Sequence, residues 1–313
     1  MGIGKLNGFF WGVVITCLLF PSEVFSKRKI DPFQSDVHVL LIGFDGWTSN
    51  SLTKADMPNL RQMKEQGCWT LKKRSVIPSS SAANWASMFM GASPEIHGYT
   101  QWNSKIPEIP SAVTNEHKMF PTISYLLRSQ RENAEIGLFC TWEILPHVAD
   151  TLAINKVVVK KLKDGYSQIT KSICDYIVEK MPTFCTIVYG FSDYYGHTYG
   201  FESNEYYKSL TNLDKCVGEI IKATKDAGIY DNTIFIVSSD HGGNGKKHGG
   251  KTLNEMESPF IIFGNNIKKG HEIGEFMMQF DIAATIAYIF GYEIPQACIG
   301  RPVLSVFENL RFK

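Results

Sequence analysis

Three acidic residues of the 313-residue chain each come shortly after a run of apolar, often β-branched residues. Asp45 follows VHVLLIGF, Asp193 follows TFCTIVYGFS, and Asp240 follows NTIFIVSS. Runs of this length, separated by helical patterns, are typical of buried parallel strands. Because open α/β sheets place their chemistry at the carboxyl ends of such strands, we expect the three side chains to meet at one edge of a sheet.

Histidines accompany two of these aspartates, in the segments SDYYGHTYG and SDHGGNGKKHGG. The candidate ligands are Asp45, Asp193, His197, Asp240, His241 and His248. Carboxylate oxygen combined with imidazole nitrogen suits zinc or manganese, whereas calcium and magnesium sites draw mainly on oxygen. We expect Gly196 to let the backbone turn so that Asp193 and His197 face one ion. The sequence therefore predicts a site for two divalent transition metals, zinc or manganese.

Length and composition favour one large α/β domain. The chain is 44% hydrophobic, and no Pro/Gly/Ser-rich linker, repeat or low-complexity tract divides it. The formal net charge of +1 provides no basic surface of the kind that nucleic acid requires. The expected partner is a small molecule.

The N-terminal residues resemble a secretory signal peptide. Lys5 precedes the twelve-residue apolar stretch FFWGVVITCLLF, and small residues stand at Val24 and Ser26, before Lys27. Because about 20 residues are needed to span a bilayer, we expect cleavage and not a transmembrane anchor. The expected division is a signal peptide over residues 1–26 and a catalytic domain over 27–313, exported to a bacterial periplasm or through a secretory pathway.

Six cysteines remain after residue 26. An even number in an exported chain permits disulfides, but Cys140 and Cys185 lie in apolar strand patterns, where free thiols act as small hydrophobic groups. Both alternatives stay open. None of the six has the short paired spacing of a zinc-thiolate site.

A serine-rich junction separates the predicted strand WTLKKRSVI from a predicted helix that ends near Gly91. The N–H groups and positive dipole at a helix start favour a bound anion such as a phosphoryl group. Ser79, Ser80 and Ser81 have two interpretations at this junction. A serine here either caps the helix or provides a nucleophile whose hydroxyl is activated by a metal or base.

Further strands and helices complete the α/β pattern. The run AEIGLFC predicts a strand that ends near Trp142 and Glu143, SPFIIFG predicts another, and a long amphipathic helix begins after Ser203. We expect Asp281 to be a local cap or a core hydrogen-bonding group. The candidate substrate contacts are Asn84, Trp102, Asn103, Trp142 and Glu143. The predicted fold is a doubly wound, mostly parallel sheet with helices on both faces.

The ordered motifs LLIGFDGW, IPSSSAANWASMFMGASPEIHG, DYYGHTYG and SSDHGG resemble those of the alkaline phosphatase superfamily. Its type I phosphodiesterase/nucleotide pyrophosphatase branch is the most similar, and the resemblance extends from about Val37 to Arg301. It implies an alkaline phosphatase-like fold and hydrolysis of phosphodiester or pyrophosphate bonds through a phosphoseryl intermediate.

The resemblance also implies residue roles. Ser81 falls at the nucleophile position and would bind one metal. The ligands of that first metal would be Asp45, Asp240 and His241, and those of the second would be Asp193, His197 and His248. In nucleotide pyrophosphatases the last histidine ligand lies far downstream, whereas His248 comes seven residues after His241. His271 is the fallback ligand.

Other functions remain as alternatives. A phosphomonoesterase, or a phosphotransferase that acts on envelope or glycan head groups, would use the same metals. A catalytically silent binding protein would keep the fold, but the complete ligand set argues against it. The segment around Ser81 lacks the proline and arginine of the C/S-x-P-x-R pattern that sulfatases need, so sulfate ester hydrolysis is disfavoured.

Overall fold

An eight-stranded sheet organises residues 36–310, which together with residues 1–2 are the part of the chain that the computed structural model describes. The strands are β1 (His38–Phe44), β2 (Cys68–Arg74), β3 (Ile136–Cys140), β4 (Lys156–Val159), β5 (Phe184–Tyr189), β6 (Thr233–Ser238), β7 (Glu257–Gly264) and β8 (His271–Glu272). Their spatial order is β4-β3-β5-β1-β6-β7-β2-β8. Only β7 among them runs antiparallel to its neighbours. The predicted mostly parallel sheet is confirmed.

Ten helices connect or follow these strands within the described residues. They are α1 (Ser51–Lys54), α2 (Pro58–Gln66), α3 (Ser81–Met90), α4 (Pro94–His97), α5 (Ile123–Gln130), α6 (Gly165–Lys180), α7 (Phe191–Tyr199), α8 (Asn204–Asp226), α9 (Leu253–Met256) and α10 (Asp281–Phe290). Short 3-10 turns occur at Leu145–Val148, Thr151–Ala153, Leu162–Asp164, Tyr230–Asn232 and Leu304–Val306.

The two faces of the sheet bury separate apolar cores. Alternate side chains of a strand point to opposite faces, so Val39 and Leu41 of β1 pack with α3, α5 and α10. Leu40 and Ile42 point the other way and pack with α2, α6 and α8. Helices therefore cover both faces, which confirms the doubly wound fold.

The predicted strand SPFIIFG is β7, and its direction matters for the site. An antiparallel neighbour needs no crossover, so the chain between β6 and β7 stays at the carboxyl end of β6. That connection carries Asp240, His241 and His248. Strand β2 runs in the same direction as β6 and delivers the serine-rich segment to this same edge.

Local signals at helix ends are also confirmed. Ser203 caps α8 by accepting a hydrogen bond from the Tyr206 N–H, and Gly91 ends α3 in the left-handed conformation with φ of 65°. Asp281 accepts hydrogen bonds from the backbone N–H groups of Met278 (2.7 Å) and Arg301 (2.9 Å), as expected for a local cap.

The expected signal peptide, apart from residues 1–2, lies outside the described residues. Within the described part, no helix combines the length and the hydropathy that crossing a bilayer requires. The six described cysteines are all free thiols: Cys68, Cys140, Cys174, Cys185, Cys216 and Cys298.

Candidate active site and metal centre

Three segments of the chain converge at the carboxyl ends of the central strands. Asp45 directly follows β1, Asp240 comes two residues after β6, and Asp193 lies in the first turn of α7, which follows β5. The strands β5, β1 and β6 are adjacent in the sheet, so the predicted meeting of these three aspartates at one edge is confirmed.

Asp193 and His197 reach this edge from a helix. The expected backbone turn at Gly196 is wrong, because residues 191–199 form the continuous helix α7. Residues four apart lie one above the other on a helix face, and His197 Nε2 is 3.5 Å from Asp193 Oδ2. The helix thus gives the two side chains the common direction that the turn was expected to provide.

The candidate ligand atoms form two overlapping groups. Asp45, Asp240 and His241 are one group, and Asp193, His241 and His248 are the other, with the atoms of each group within 4.8 Å of one another. His241 therefore lies between the two groups. His197 stands beside the second group through its contact with Asp193.

Each of the three histidines is oriented by a backbone carbonyl. A carbonyl only accepts, so the nearby Nδ1 carries a proton, which in the neutral ring leaves the lone pair on Nε2. Protein ligands to metals are oriented in this way, through the ring nitrogen that does not bind the ion. The Nδ1–carbonyl distances are 2.7 Å for His241 to Gly242, 3.1 Å for His248 to Ser79, and 2.9 Å for His197 to Lys246.

Hydrogen bonds hold two of the three aspartate carboxylates in place, and two carboxylate oxygens of the cluster have no hydrogen-bond partner. Asp45 Oδ2 accepts a hydrogen bond from Trp85 Nε1 at 3.0 Å, and Asp240 Oδ1 accepts one from the Gly46 N–H at 3.1 Å. Asp193 Oδ1 and Asp240 Oδ2 are buried without any hydrogen-bond partner. Buried polar atoms are rarely left unpaired, so these oxygens fit a site for cations.

Burial also shifts the ionisation of the cluster. Burial raises the pKa of Asp193 to about 8 and that of Asp240 to about 6, and burial together with the neighbouring carboxylates holds the pKa of Asp45 well above its usual range. Burial lowers the pKa values of His241 and His248 to about 3. Bound divalent cations would offset the repulsion between the three carboxylates, and the neutral imidazoles of His241 and His248 could coordinate those cations.

Ser81 is the serine that touches this cluster. It is the first residue of α3, and its Oγ lies 3.2 Å from His241 Nε2 and 3.4 Å from Asp45 Oδ1. Ser79 Oγ points away and donates to the Gly250 carbonyl at 2.8 Å. Ser80 occupies the N-cap position but makes no side-chain capping bond, and its Oγ is buried without a partner.

Asn84 makes contacts other than those expected of a substrate ligand. Its Oδ1 accepts from the Val76 N–H at 2.7 Å, and its Nδ2 donates to the carbonyls of Pro78 (3.0 Å) and Ser80 (2.9 Å). The side chain therefore holds the backbone that leads into Ser81. A contact between Asn84 and substrate stays a prediction.

The remaining candidate substrate contacts lie on two surface loops. Trp102 is 59% exposed, and its carbonyl accepts from the N–H of Ala82, directly after the candidate nucleophile. Asn103 beside it is exposed. Trp142 is half-buried and Glu143 is exposed, just beyond the carboxyl end of β3.

His271 does not join the cluster. It lies in β8 and pairs with Cys68, at the amino end of β2, whereas Ser81 follows the carboxyl end of that strand. The fallback ligand is therefore at the opposite end of the sheet from the candidate ligands.

Three supporting residues were missed in the sequence. Trp85, one helical turn after Ser81, holds Asp45, and Ser192 Oγ donates to the Asp45 carbonyl at 2.6 Å. Lys73 is fully buried, and its Nζ donates to the Ser239 carbonyl at 2.9 Å. The spacing of Trp85 from Ser81 was a usable signal, but nothing in KKRSVI marks Lys73 as buried.

Burial lowers the pKa of the Lys73 ammonium to about 7. Since the unfolded value is about 10.4, the unfolded chain binds more protons between about pH 7 and pH 10, and the stability contributed by Lys73 rises with pH over that window. We expect the wild-type protein to gain at least about 1.4 kcal/mol relative to Lys73→Met from pH 7 to pH 10, the equivalent of one pKa unit. Urea unfolding at each pH measures this, with the exposed Lys269→Met as control. A wild-type/Lys73→Met difference that is constant with pH would contradict it.

Known proteins share this fold and sequence pattern. The bis(5'-adenosyl)-triphosphatase ENPP4 of Pongo abelii is 22% identical over 251 residues, which are 73% of this chain and 52% of that protein. The GPI ethanolamine phosphate transferase 1 of Chaetomium globosum is 26% identical over 182 residues, 50% of this chain and 19% of that protein. This chain thus spans about half the length of the first of these relatives and much less of the second.

The solved structure of human ectonucleotide pyrophosphatase/phosphodiesterase 5 has the same fold. It superposes with a TM-score of 0.70 at 14% identity, covering 87% of this chain and all of that one. The family model for type I phosphodiesterase/nucleotide pyrophosphatase matches residues 39–257, which include every candidate ligand and Ser81. The chain therefore belongs to the type I phosphodiesterase/nucleotide pyrophosphatase family.

Proposed function

We propose that this protein is a metal-dependent hydrolase of phosphodiester or pyrophosphate bonds that uses Ser81 as its nucleophile. The observation that carries the proposal is the set of donor atoms near Ser81, the first residue of α3. The Nδ1 atoms of His197, His241 and His248 are occupied by backbone carbonyls, which leaves Nε2 for an ion. Asp193 Oδ1 and Asp240 Oδ2 are buried without hydrogen-bond partners. Family membership supports phosphoester chemistry. The named activity of the Pongo abelii relative supports a pyrophosphate bond as substrate.

The donor set fits two divalent transition metals, zinc or manganese. Asp45, Asp240 and His241, with Ser81, would hold one. The second would be held by Asp193, His197 and His248. Bound there, the two ions would supply Lewis-acid stabilisation of the phosphoryl oxygens and of the attacking and leaving oxygens.

The chain's own residues would orient the displacement. Trp85 and Gly46 fix the carboxylates of Asp45 and Asp240, so the Ser81 hydroxyl keeps its place beside them. The start of α3 would add its positive dipole to the binding of the phosphoryl anion. These contacts exist before substrate binds, so the site is preorganised for charge that develops in the transition state.

The reaction would proceed as two successive displacements at phosphorus. Ser81 Oγ would form a bond to phosphorus and release its proton to solvent, while the bond from phosphorus to the leaving oxygen breaks. That oxygen departs with the electron pair and takes up one proton from solvent. Water then attacks the phosphoserine, breaks the Oγ–phosphorus bond, and restores the Ser81 hydroxyl. The product is phosphate or a phosphomonoester. The exposed loops that carry Trp102, Asn103, Trp142 and Glu143 would contact the rest of the substrate.

Residues 1–26 would direct export and be removed, and residues 27–313 would form the catalytic domain, acting in a periplasm or outside the cell. The expected substrate is a small molecule.

A panel of p-nitrophenyl monoesters, p-nitrophenyl diesters and dinucleoside polyphosphates tests the proposal. We expect the diesters or dinucleoside polyphosphates to be hydrolysed at least about tenfold faster than the monoesters, with loss of the activity in chelator and return with added zinc or manganese. Release of p-nitrophenol or mononucleotide is measured. Hydrolysis of none of these substrates would support a silent binding protein, and turnover unaffected by chelator would contradict metal dependence.

The same panel separates hydrolysis from group transfer. The match to the Chaetomium globosum transferase favours transfer of a phosphoryl-linked head group as the second candidate function. Reactions run with an excess of ethanolamine or a sugar alcohol would then yield a new phosphodiester or phosphomonoester of the acceptor. A hydrolase yields only the water-derived product under the same conditions, as mass spectrometry would show.

A further inference from the structure

The ring of Phe201 lies among glycines from three different ligand-bearing segments. Phe201 is fully buried and comes two residues after α7 ends. A Cβ added at Gly196 would lie 2.5 Å from its ring, one at Gly243 would lie 2.3 Å away, and one at Gly46 would lie 3.0 Å away. Contacts below 3.0 Å are essentially absent between real Cβ atoms and their neighbours, so the ring fits this space because the first two positions lack a side chain.

Each of these glycines is close in sequence to a candidate ligand. Gly46 follows Asp45, Gly243 comes two residues after His241, and Gly196 stands immediately before His197. The ring therefore packs against backbone that carries ligands from all three converging segments. Because glycine has no side chain that could shift in response, a displaced ring would press directly on this backbone.

Two further contacts connect Phe201 with the histidines. Its ring meets His197 edge-on, with ring centroids 5.9 Å apart, and meets His248 edge-on at 6.4 Å. Its N–H donates to the Gly245 carbonyl at 2.8 Å, which attaches α7 to the connection that carries His248. One residue thus touches the helix and the loop that provide the second group of ligands.

We infer that Phe201 is a positioning residue that sets the spacing of the metal ligands by holding the three glycine-containing segments at a fixed separation. The inference rests on the proposed function, because it concerns the metal site proposed above. Phe201 itself binds neither metal nor substrate. Loss of its ring would let the three segments move relative to one another and would weaken metal binding more than a general loss of stability explains.

Chelator competition on the purified zinc-loaded protein tests this. Phe201→Ala is expected to lower zinc affinity by about 10- to 100-fold, the range seen when groups that orient metal ligands are removed. The matched control is Phe184→Ala. Phe184 is also fully buried, but it lies at the amino end of β5 and packs against Phe290. Thermal unfolding of both metal-free variants measures their general destabilisation.

A double substitution separates positioning from simple core packing. Gly196→Ala replaces glycine by the best helix former within α7, and the three atoms nearest to its added Cβ all belong to the Phe201 ring, at 2.5–2.6 Å, so collision with that ring is the main opposition to it. We expect Gly196→Ala to lower zinc affinity at least about tenfold in the wild-type protein and to have little effect in Phe201→Ala, which has space for the added methyl group. Equal effects of Gly196→Ala in both backgrounds would overturn the inference.

The outcomes distinguish the two proposals. If the wild-type protein binds no zinc, the proposed metal site fails. If the wild-type protein binds zinc and Phe201→Ala binds it as tightly as Phe184→Ala does, the metal site stands and the positioning role of Phe201 is refuted.

Discussion

Replacement of Ser81 by alanine is expected to lower phosphodiester turnover by at least about a thousandfold, on the order of 4 kcal/mol of transition-state stabilisation. Its Oγ is the hydroxyl that lies against both His241 and Asp45. The substitution removes the atom that would bond to phosphorus and leaves the carboxylates and imidazoles in place. Metal content, measured by elemental analysis, should therefore stay near the wild-type value while kcat falls.

The two neighbouring serines provide matched controls. Ser80→Ala removes a buried hydroxyl that has no hydrogen-bond partner, and Ser79→Ala removes one bond to the Gly250 carbonyl. We expect both variants to keep turnover within about tenfold of the wild type, with at most about 1 kcal/mol of lost stability for Ser79→Ala. Near-normal turnover in Ser81→Ala, combined with an inactive Ser79→Ala or Ser80→Ala, would assign the nucleophile to that neighbouring serine. Membership of the family would be unaffected.

Purified protein is expected to carry about two equivalents of transition metal per chain, as a two-metal site requires. His248→Ala should reduce this to about one equivalent, because His248 Nε2 faces Asp193 Oδ1 at 3.5 Å and belongs to the second ligand group only. The first group keeps all of its donors. Elemental analysis and chelator-sensitive turnover measure the two effects, and turnover should fall at least about a hundredfold.

His271→Ala is the control for this experiment. The residue is a histidine of the same sheet, but it lies in β8, away from the cluster. Its substitution should leave about two equivalents in place. Active, undepleted wild-type protein with one metal or none would refute the two-metal site, and loss of metal from His271→Ala would restore the fallback assignment.

The fold and the meeting of the ligands were predictable because they depend on local patterns. Three β-branched runs, each followed by an aspartate, define parallel strands, and parallel strands bring their carboxyl ends to one edge. The ends of α3 and α8 were signalled by Gly91 and Ser203, which act within a single turn. Such features require no knowledge of distant contacts.

The supporting structure of the site was not predictable from the same patterns. The segment at Gly196 was expected to turn, yet it is helical, because its glycine makes room for a ring and does not break the backbone. The amide of Asn84 serves the backbone before Ser81, and Lys73 is buried under the site. The Gly196 and Lys73 features depend on packing and on contacts between residues distant in sequence, and the Asn84 bonds depend on the direction of one side chain; periodicity encodes none of these.

The hydrogen bond from the Ala82 N–H to the Trp102 carbonyl joins the helix of the proposed nucleophile to an exposed loop. Loops of this kind are where relatives of one fold diverge to accept new substrates. In this protein the loop also fixes the first turn of the helix that carries Ser81. An exchange of residues 99–105 between homologues would therefore alter selectivity and turnover together. Natural or laboratory evolution of a new substrate range must keep the loop backbone in the conformation that places the residue-102 carbonyl against the Ala82 N–H, while the side chains around it vary.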